Sequence, residues 1–309
     1  RLLWPVAERY NRTLGERFGE VTGLQLLLLL LSFGGLVTAP LWGQDYLRPL
    51  TLGAVWAVFA MGWDIQSGYT GYISFGHSAL SGAAGYTTGL LVLHLNPELS
   101  LFVTVPLSIL ATTVLGLAIA VPSLRLRGPY FSLVTFVTVL LFYRLTKALS
   151  HWTNGLRGIR VDVFTYDLTL QYYMVVVPML AVAATLTYVG RSDVGTVLVA
   201  IRENEDRASF LGYDVYRYRL IAFVVSAGFS GLAGALYPIF LSFVGLDTLS
   251  WLLSGEVNFF VLLGGIGTFV GPLVGSVSYY FITDYISAVT DHWELFVGLI
   301  FIGLVLYLP

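Results

Sequence analysis

The residues able to do polar chemistry are few in this chain, and they fall in two kinds of place. The densest run of charge, Arg191 to Arg219, reads RSDVGTVLVAIRENEDRASFLGYDVYRYR and lies between long apolar stretches. Charge on this scale is costly in hydrocarbon, so the run is expected to be an aqueous loop. It also carries helix signals. Asn204 is placed to cap a short helix from Glu205 to Leu211, Asp206 sits in the first turn where it suits the helix dipole, and Gly212 follows as a stop. Two short helices joined at Glu203 and Asn204 are the expectation. The second kind of place is the edge of an apolar run. Asp64 ends one, where a carboxylate must be paired, solvated or protonated; it either faces water at its helix end or belongs to a pathway. His77 opens another, as a cap, a buried hydrogen-bonding group or a solute contact.

Enzyme chemistry is poorly served. Lys147 is the one lysine, in RLTKALS, without the glycines that G-x-x-x-x-G-K-[ST] needs to cradle phosphates. The chain therefore has no P-loop, and any energy from ATP must come from another polypeptide. His77, His94, His151 and His292 show no metal-ligand spacing. There is no cysteine, which excludes disulfides and thiol chemistry.

These groups must be positioned by a membrane protein. With 57% hydrophobic and 11% charged residues and a mean hydropathy of +0.80, a soluble fold could not hide the apolar side chains. Runs such as LQLLLLLLSFGGLV lack the alternation of membrane strands, so the fold expected is an all-α polytopic membrane protein. About ten transmembrane helices are expected, eight to ten depending on how breaks are read: Leu24–Trp42, Pro49–Ile65, Ser78–Leu95, Leu101–Pro122, Pro129–Thr146, Gln171–Val189, Leu220–Val244, Val257–Thr268, Leu273–Ile286 and Leu295–Leu308. Residues 1–23 read as a polar cytoplasmic segment without signal-peptide order, and residues 24–309 as a single transmembrane domain containing the charged loop 191–219. With a cytoplasmic N-terminus, eleven of the arginines fall inside and five basic residues outside, which places the loop in the cytoplasm. An even span count returns the C-terminus there. Lys147 to Leu170, the longest outer loop, is long enough for a small external cap.

Two Gly-punctuated breaks interrupt the apolar sequence, at residues 67–86 and 264–276. Gly-interrupted segments in two halves of a transporter point to a central site. Asp64, Ser74, His77, Ser78, Gly265 and Gly267 are accordingly candidates for the translocation path. Small residues also recur at four-residue steps (Ser81, Gly85, Gly89; Ala227, Gly231, Ala235), which lets helices approach closely.

Four motifs in order carry a resemblance: GYTGYISFGH at Gly68 to His77, LRLRGPYFSLVTF at Leu124 to Phe136, AIREN with the following A-x-x-LG, and GGIGTFVGPLVG. Over about Leu52 to Pro309 the chain resembles LivM-type permeases of branched-chain amino acid ABC importers. Tyr72 stands where that family usually has Gln, and Asp64 where Asn is common. The resemblance implies an importer subunit in the plasma (inner) membrane, with a second LivH-like permease chain, two cytoplasmic ATPase subunits that bind ATP and Mg, and an external solute-binding protein. No nucleic acid and no cofactor on this chain are implied. It also implies that Arg202, Glu203, Asn204, Glu205, Arg207 and Gly212 belong to a loop that couples to the ATPase. The competing reading is a stand-alone secondary transporter or channel with an ion-coupled site at Asp64 and the broken helices.

Overall fold

The computed structural model describes residues 34–95, 101–161, 167–268, 271–290 and 292–307 of the 309. Most of the expected first span, Leu24–Trp42, and the segment 1–23 lie outside them. The longer elements are α1 (Gln44–Asp64), α2 (His77–Leu95), α3 (Leu101–Ser123), α4 (Pro129–Ala148), α5 (Leu168–Gly190), α6 (Asp193–Glu203), α7 (Glu205–Phe210), α8 (Val215–Leu241), α9 (Trp251–Gly264), α10 (Gly271–Ser287) and α11 (Trp293–Tyr307). The protein is an all-α membrane protein. Phe102–Ser123, Pro129–Ala148, Leu168–Gly190 and Val215–Leu241 are each long and apolar enough to cross a membrane, and Trp251–Gly264 is a shorter apolar helix.

Helix α1 is the centre of the bundle. It is apolar on every face, as a helix surrounded by others must be, and Val55, Ala57, Val58, Phe59 and Ala60 are wholly buried. It packs against α5, α8, α9 and α10. On α3 and α4, by contrast, Phe102, Leu110, Val114, Leu133 and Val137 are exposed, the face a bilayer would cover. The small-residue stripes serve contact within this chain: a side chain on Gly234 of α8 would meet the Ser81 backbone of α2, and one on Gly231 would meet Thr112 of α3.

Helix limits differ from the sequence expectation where one residue type misled it. Pro49 was expected to open a span, but α1 starts at Gln44 and runs through it. Helix α9 starts at Trp251 rather than Val257, because Ser250 caps it by accepting the Leu252 N–H at 3.1 Å, and Glu256 is carried inside the helix. Likewise α8 starts at Val215, capped by Asp214 on the Arg217 N–H. The loop after α4 forms a one-turn helix, Ser150–Thr153, a 3-10 turn, Gly155–Arg157, and a strand β1, Ile159–Arg160. That strand pairs antiparallel with β2, Phe243–Val244, after α8, with Ile159 opposite Val244.

Candidate functional site

The loop between α5 and α8 is an ordered pair of helices. Val197, Leu198 and Ile201 share one buried face of α6, and Ala208 of α7 joins Val197 and Ile201 against Val215 and Tyr218 of α8. The Asn204 side chain accepts the Arg207 N–H at 2.8 Å, so the joint falls where the cap signal placed it. At the other end Tyr213 N–H reaches Ala208 O at 3.3 Å and Gly212 N–H reaches Ser209 O at 3.0 Å. This double closure requires a left-handed residue at the turn, and Gly212 supplies it at φ 92°. Glu203, Asp206, Arg207, Phe210, Leu211 and Gly212 remain on the exposed side.

Glu205 faces inward and ties the loop to the bundle. Its Oε2 accepts from Arg219 Nη2 of α8 at 2.6 Å and from the Tyr72 hydroxyl at 3.0 Å. Arg219, only 4% exposed at its side chain, lies 3.6 Å over the Tyr72 ring, an added cation–π contact. Tyr72, read from the sequence only as a departure from a family motif, is thus the seat of this ion pair. Burial opposes the charge on Glu205. The hydrogen bond and charge of Arg219, with the Tyr72 hydroxyl and Arg127, outweigh it and hold the carboxyl below its ordinary pKa. Arg127 approaches Glu205 at 3.7 Å and Asp206 at 3.8 Å from an exposed position, contacts that contribute little.

The two Gly-rich breaks meet beneath the same loop. After α1 the chain makes a wide π turn, Ile65–Tyr69, and then an irregular stretch before α2. Asp64 is buried, and its Oδ1 accepts the N–H of Gly267 from the second break at 2.9 Å. Arg202 Nη1 of α6 donates to Gly68 O of the first break at 2.9 Å. Asp64, Gly68, Gly267 and Arg202 therefore meet at one point. Gly265 ends α9 at φ 104°.

Ser74 and His77 lie deeper, in a closed relay. The Ser226 hydroxyl donates its one proton to Gly62 O at 2.5 Å, so it accepts from His77 Nε2–H at 2.6 Å. That leaves His77 Nδ1 to accept from the Ser74 hydroxyl at 2.9 Å, while Ser74 accepts the Gly76 N–H at 3.2 Å. His77 is fully buried, and the relay joins the first break to α8. Ser78 meets the Ser254 hydroxyl of α9 at 2.7 Å, and Ser254 also reaches Phe75 O at 2.6 Å.

Three polar residues escaped the sequence reading. Gln66 in the π turn is wholly buried, and neither its amide nitrogen nor its oxygen has a hydrogen-bond partner. Glu256 and Glu294 line a cavity of about 360 Å³ between α9, α10 and α11. The signal available was a carboxylate inside an apolar run. Among the described residues no three His, Asp or Glu side chains are grouped to hold a metal.

Residues 46–307 match the family described as branched-chain amino acid transport system, permease component. The chain is similar to the high-affinity branched-chain amino acid transport system permease protein LivM of Escherichia coli (strain K12), 23% identical over 84% of this chain and 68% of that protein. It is 23% identical to the corresponding LivH protein of Salmonella typhimurium, over 76% of this chain and 82% of that one. The autoinducer 2 import system permease protein LsrC of Salmonella paratyphi B is 24% identical over 73% of this chain and 69% of its own length. No solved structure matches.

Proposed function

The chain belongs to the family of branched-chain amino acid transport system permease components, and on that premise we propose that it is one membrane-spanning subunit of an ATP-driven importer. Its solute is a branched-chain amino acid or a related small polar molecule. It pairs with a second, LivH-like permease chain, takes energy from two cytoplasmic ATPases that bind ATP and Mg, and receives solute from an external binding protein. It crosses the plasma (inner) membrane eight to ten times with both termini and the loop 191–219 in the cytoplasm.

The observation that carries the coupling role is the ordered pair α6–α7. A connection that served only as a tether would need no double cap, no buried ion pair and no packed inner face. Here the inner side is fixed to the bundle through Arg202 and Glu205 while Glu203, Asp206, Arg207 and Phe210 face outward. Docking of that outer face into a groove on the ATPase would move α5 and α8 together. The buried Gln66 amide and the serines of the first break supply the polar groups from which a path is built.

Purification of the tagged chain from membranes tests this. An ATPase is expected to co-elute with the unsubstituted chain, and to be lost or uncoupled when Arg202→Glu is combined with Glu205→Lys, or with Gly212→Val. Normal ATPase association and uptake across the whole set would remove the loop from the coupling role. Solute movement by a chain that never carries an ATPase would favour a stand-alone transporter or channel.

A further inference from the structure

We propose that Arg202 is a positioning residue that holds both membrane breaks in one closed arrangement, so that movement of the loop is read directly by the two broken helices. The inference rests on the coupling role proposed above and names the side chain through which coupling passes. Its geometry is independent of any partner.

Arg202 stands on the last turn of α6, yet its guanidinium reaches a backbone carbonyl 134 positions away, Gly68 O at 2.9 Å. Its second terminal nitrogen lies 3.3 Å from Glu203, an exposed carboxylate that adds little. The stem crosses the first break at Gly71. That residue has φ 75°, and a Cβ there would come within 2.9 Å of Arg202 Cγ. The head passes the second break at Gly267. This residue has φ 72°, and a Cβ there would come within 2.8 Å of Arg202 Nη1. Both glycines are needed twice over, for the left-handed backbone and for the space that the arginine fills.

The same point carries Asp64. Its Oδ1 takes the Gly267 N–H, and so holds the second break against the end of α1 while Arg202 holds the first break against α6. A planar, permanently charged guanidinium suits this place because it can bond a carbonyl with one edge and keep its charge towards the Asp64 side with the rest. A shift of α6 by even an ångström or two would break the Gly68 bond or drag the break with it. Gly68 itself lies in the π turn Ile65–Tyr69 that follows α1, a segment with a weaker claim to regular helix than α1 and so the part able to follow.

The test uses the whole complex in membranes and a reporter cysteine, Ser67→Cys, in a chain that has no other. Ser67 is buried beside Gly68, so a polar thiol reagent should label it slowly. Arg202→Ala should raise the labelling rate by about tenfold or more, and Gly267→Ala, which displaces the guanidinium, should do the same. Arg202→Lys, able to reach Gly68 O with one donor, should stay within about threefold of the parent. Co-purified ATPase should remain within about twofold for Arg202→Ala, with solute-independent hydrolysis kept and solute stimulation reduced by about fivefold or more. Unchanged labelling in Arg202→Ala overturns the proposal, as does loss of the ATPase with labelling unaltered, which would make Arg202 a docking contact only. If the unsubstituted chain carries no ATPase, the importer reading fails, and the labelling comparison still decides the clamp.

Discussion

Removing the Glu205 side chain gives the most quantitative prediction. Glu205→Ala leaves Arg219, 4% exposed, without its carboxylate and leaves the Tyr72 hydroxyl without an acceptor. Breaking a fully buried pair by removing one partner costs about 3–5 kcal/mol. Glu205 is 23% exposed, so water recovers part of this, and a local cost of about 2–4 kcal/mol is expected. The loss should appear as opening of the loop rather than of the bundle, because Ala208 is the α7 side chain in the buried cluster with Val197 and Ile201, and Glu205 is the one that holds α7 to Arg219 and Tyr72 among the described residues. At about 1.4 kcal/mol per tenfold, amide exchange in α7 should quicken by about 30- to 700-fold. Hydrogen exchange read by mass spectrometry on the protein in nanodiscs measures it, with peptides from α1 and α2 as internal controls. Arg219→Met should quicken the same peptides less, since it removes the buried charge as well as the bond, and the double variant should show that the two effects do not add. An acceleration below about threefold in Glu205→Ala would refute the reasoning, for the ion pair would then hold nothing.

Four further outcomes follow. Glu205 has a lowered pKa, so its share of loop stability is fully present above the ordinary glutamate value and lost as pH falls through the lowered folded value; amide exchange of the α7 peptides, corrected for the intrinsic pH dependence of exchange, should show unchanged protection at neutral and mildly acidic pH and lose it only in stronger acid. Asn204→Ala should cost about 1 kcal/mol of helix stability and expose the loop to protease, while Asn204→Asp should be tolerated. Gly271→Leu should reduce assembly or uptake more than Leu263→Ala does, because a side chain on Gly271 would run into Gly264 O and Gly265 O at 2.5 and 2.6 Å. His77→Ala breaks the relay between Ser74 and Ser226, leaves the buried Ser74 hydroxyl without its acceptor and opens a cavity, so the melting temperature of the detergent-solubilised protein should fall by several degrees.

What could be read from the sequence was local. The cap at Asn204, the stop at Gly212 and the joint between α6 and α7 depend on residues within one or two turns, and they stand where the spacing placed them. Hydropathy also gave the membrane class, because it sums over long runs. The junction at Arg202 was not legible: Gly68 is 134 positions away, and Asp64 and Gly267 are 203 apart. Asp64 and Gly267 were singled out as path residues and Arg202 as a loop residue, with nothing to say that they meet. Glu205 is implied by the resemblance to belong to the coupling loop, and nothing in its spacing shows that its side chain turns inward to Arg219, a contact set by how α8 packs on the first break. The strand pair was hidden for the same reason, since a two-residue strand has no period to detect and its partner lies after α8.

The most direct measurement is uptake of radiolabelled leucine into proteoliposomes holding this chain with the second permease chain and ATPases proposed for it, and with the proposed binding protein supplied outside. Uptake is predicted to require ATP on the ATPase side, to persist when sodium and proton gradients are collapsed, and to fall to background with Arg202→Glu combined with Glu205→Lys while the complex still inserts. Uptake of leucine or another small solute driven by an ion gradient without ATP, and indifferent to those two substitutions, would contradict it.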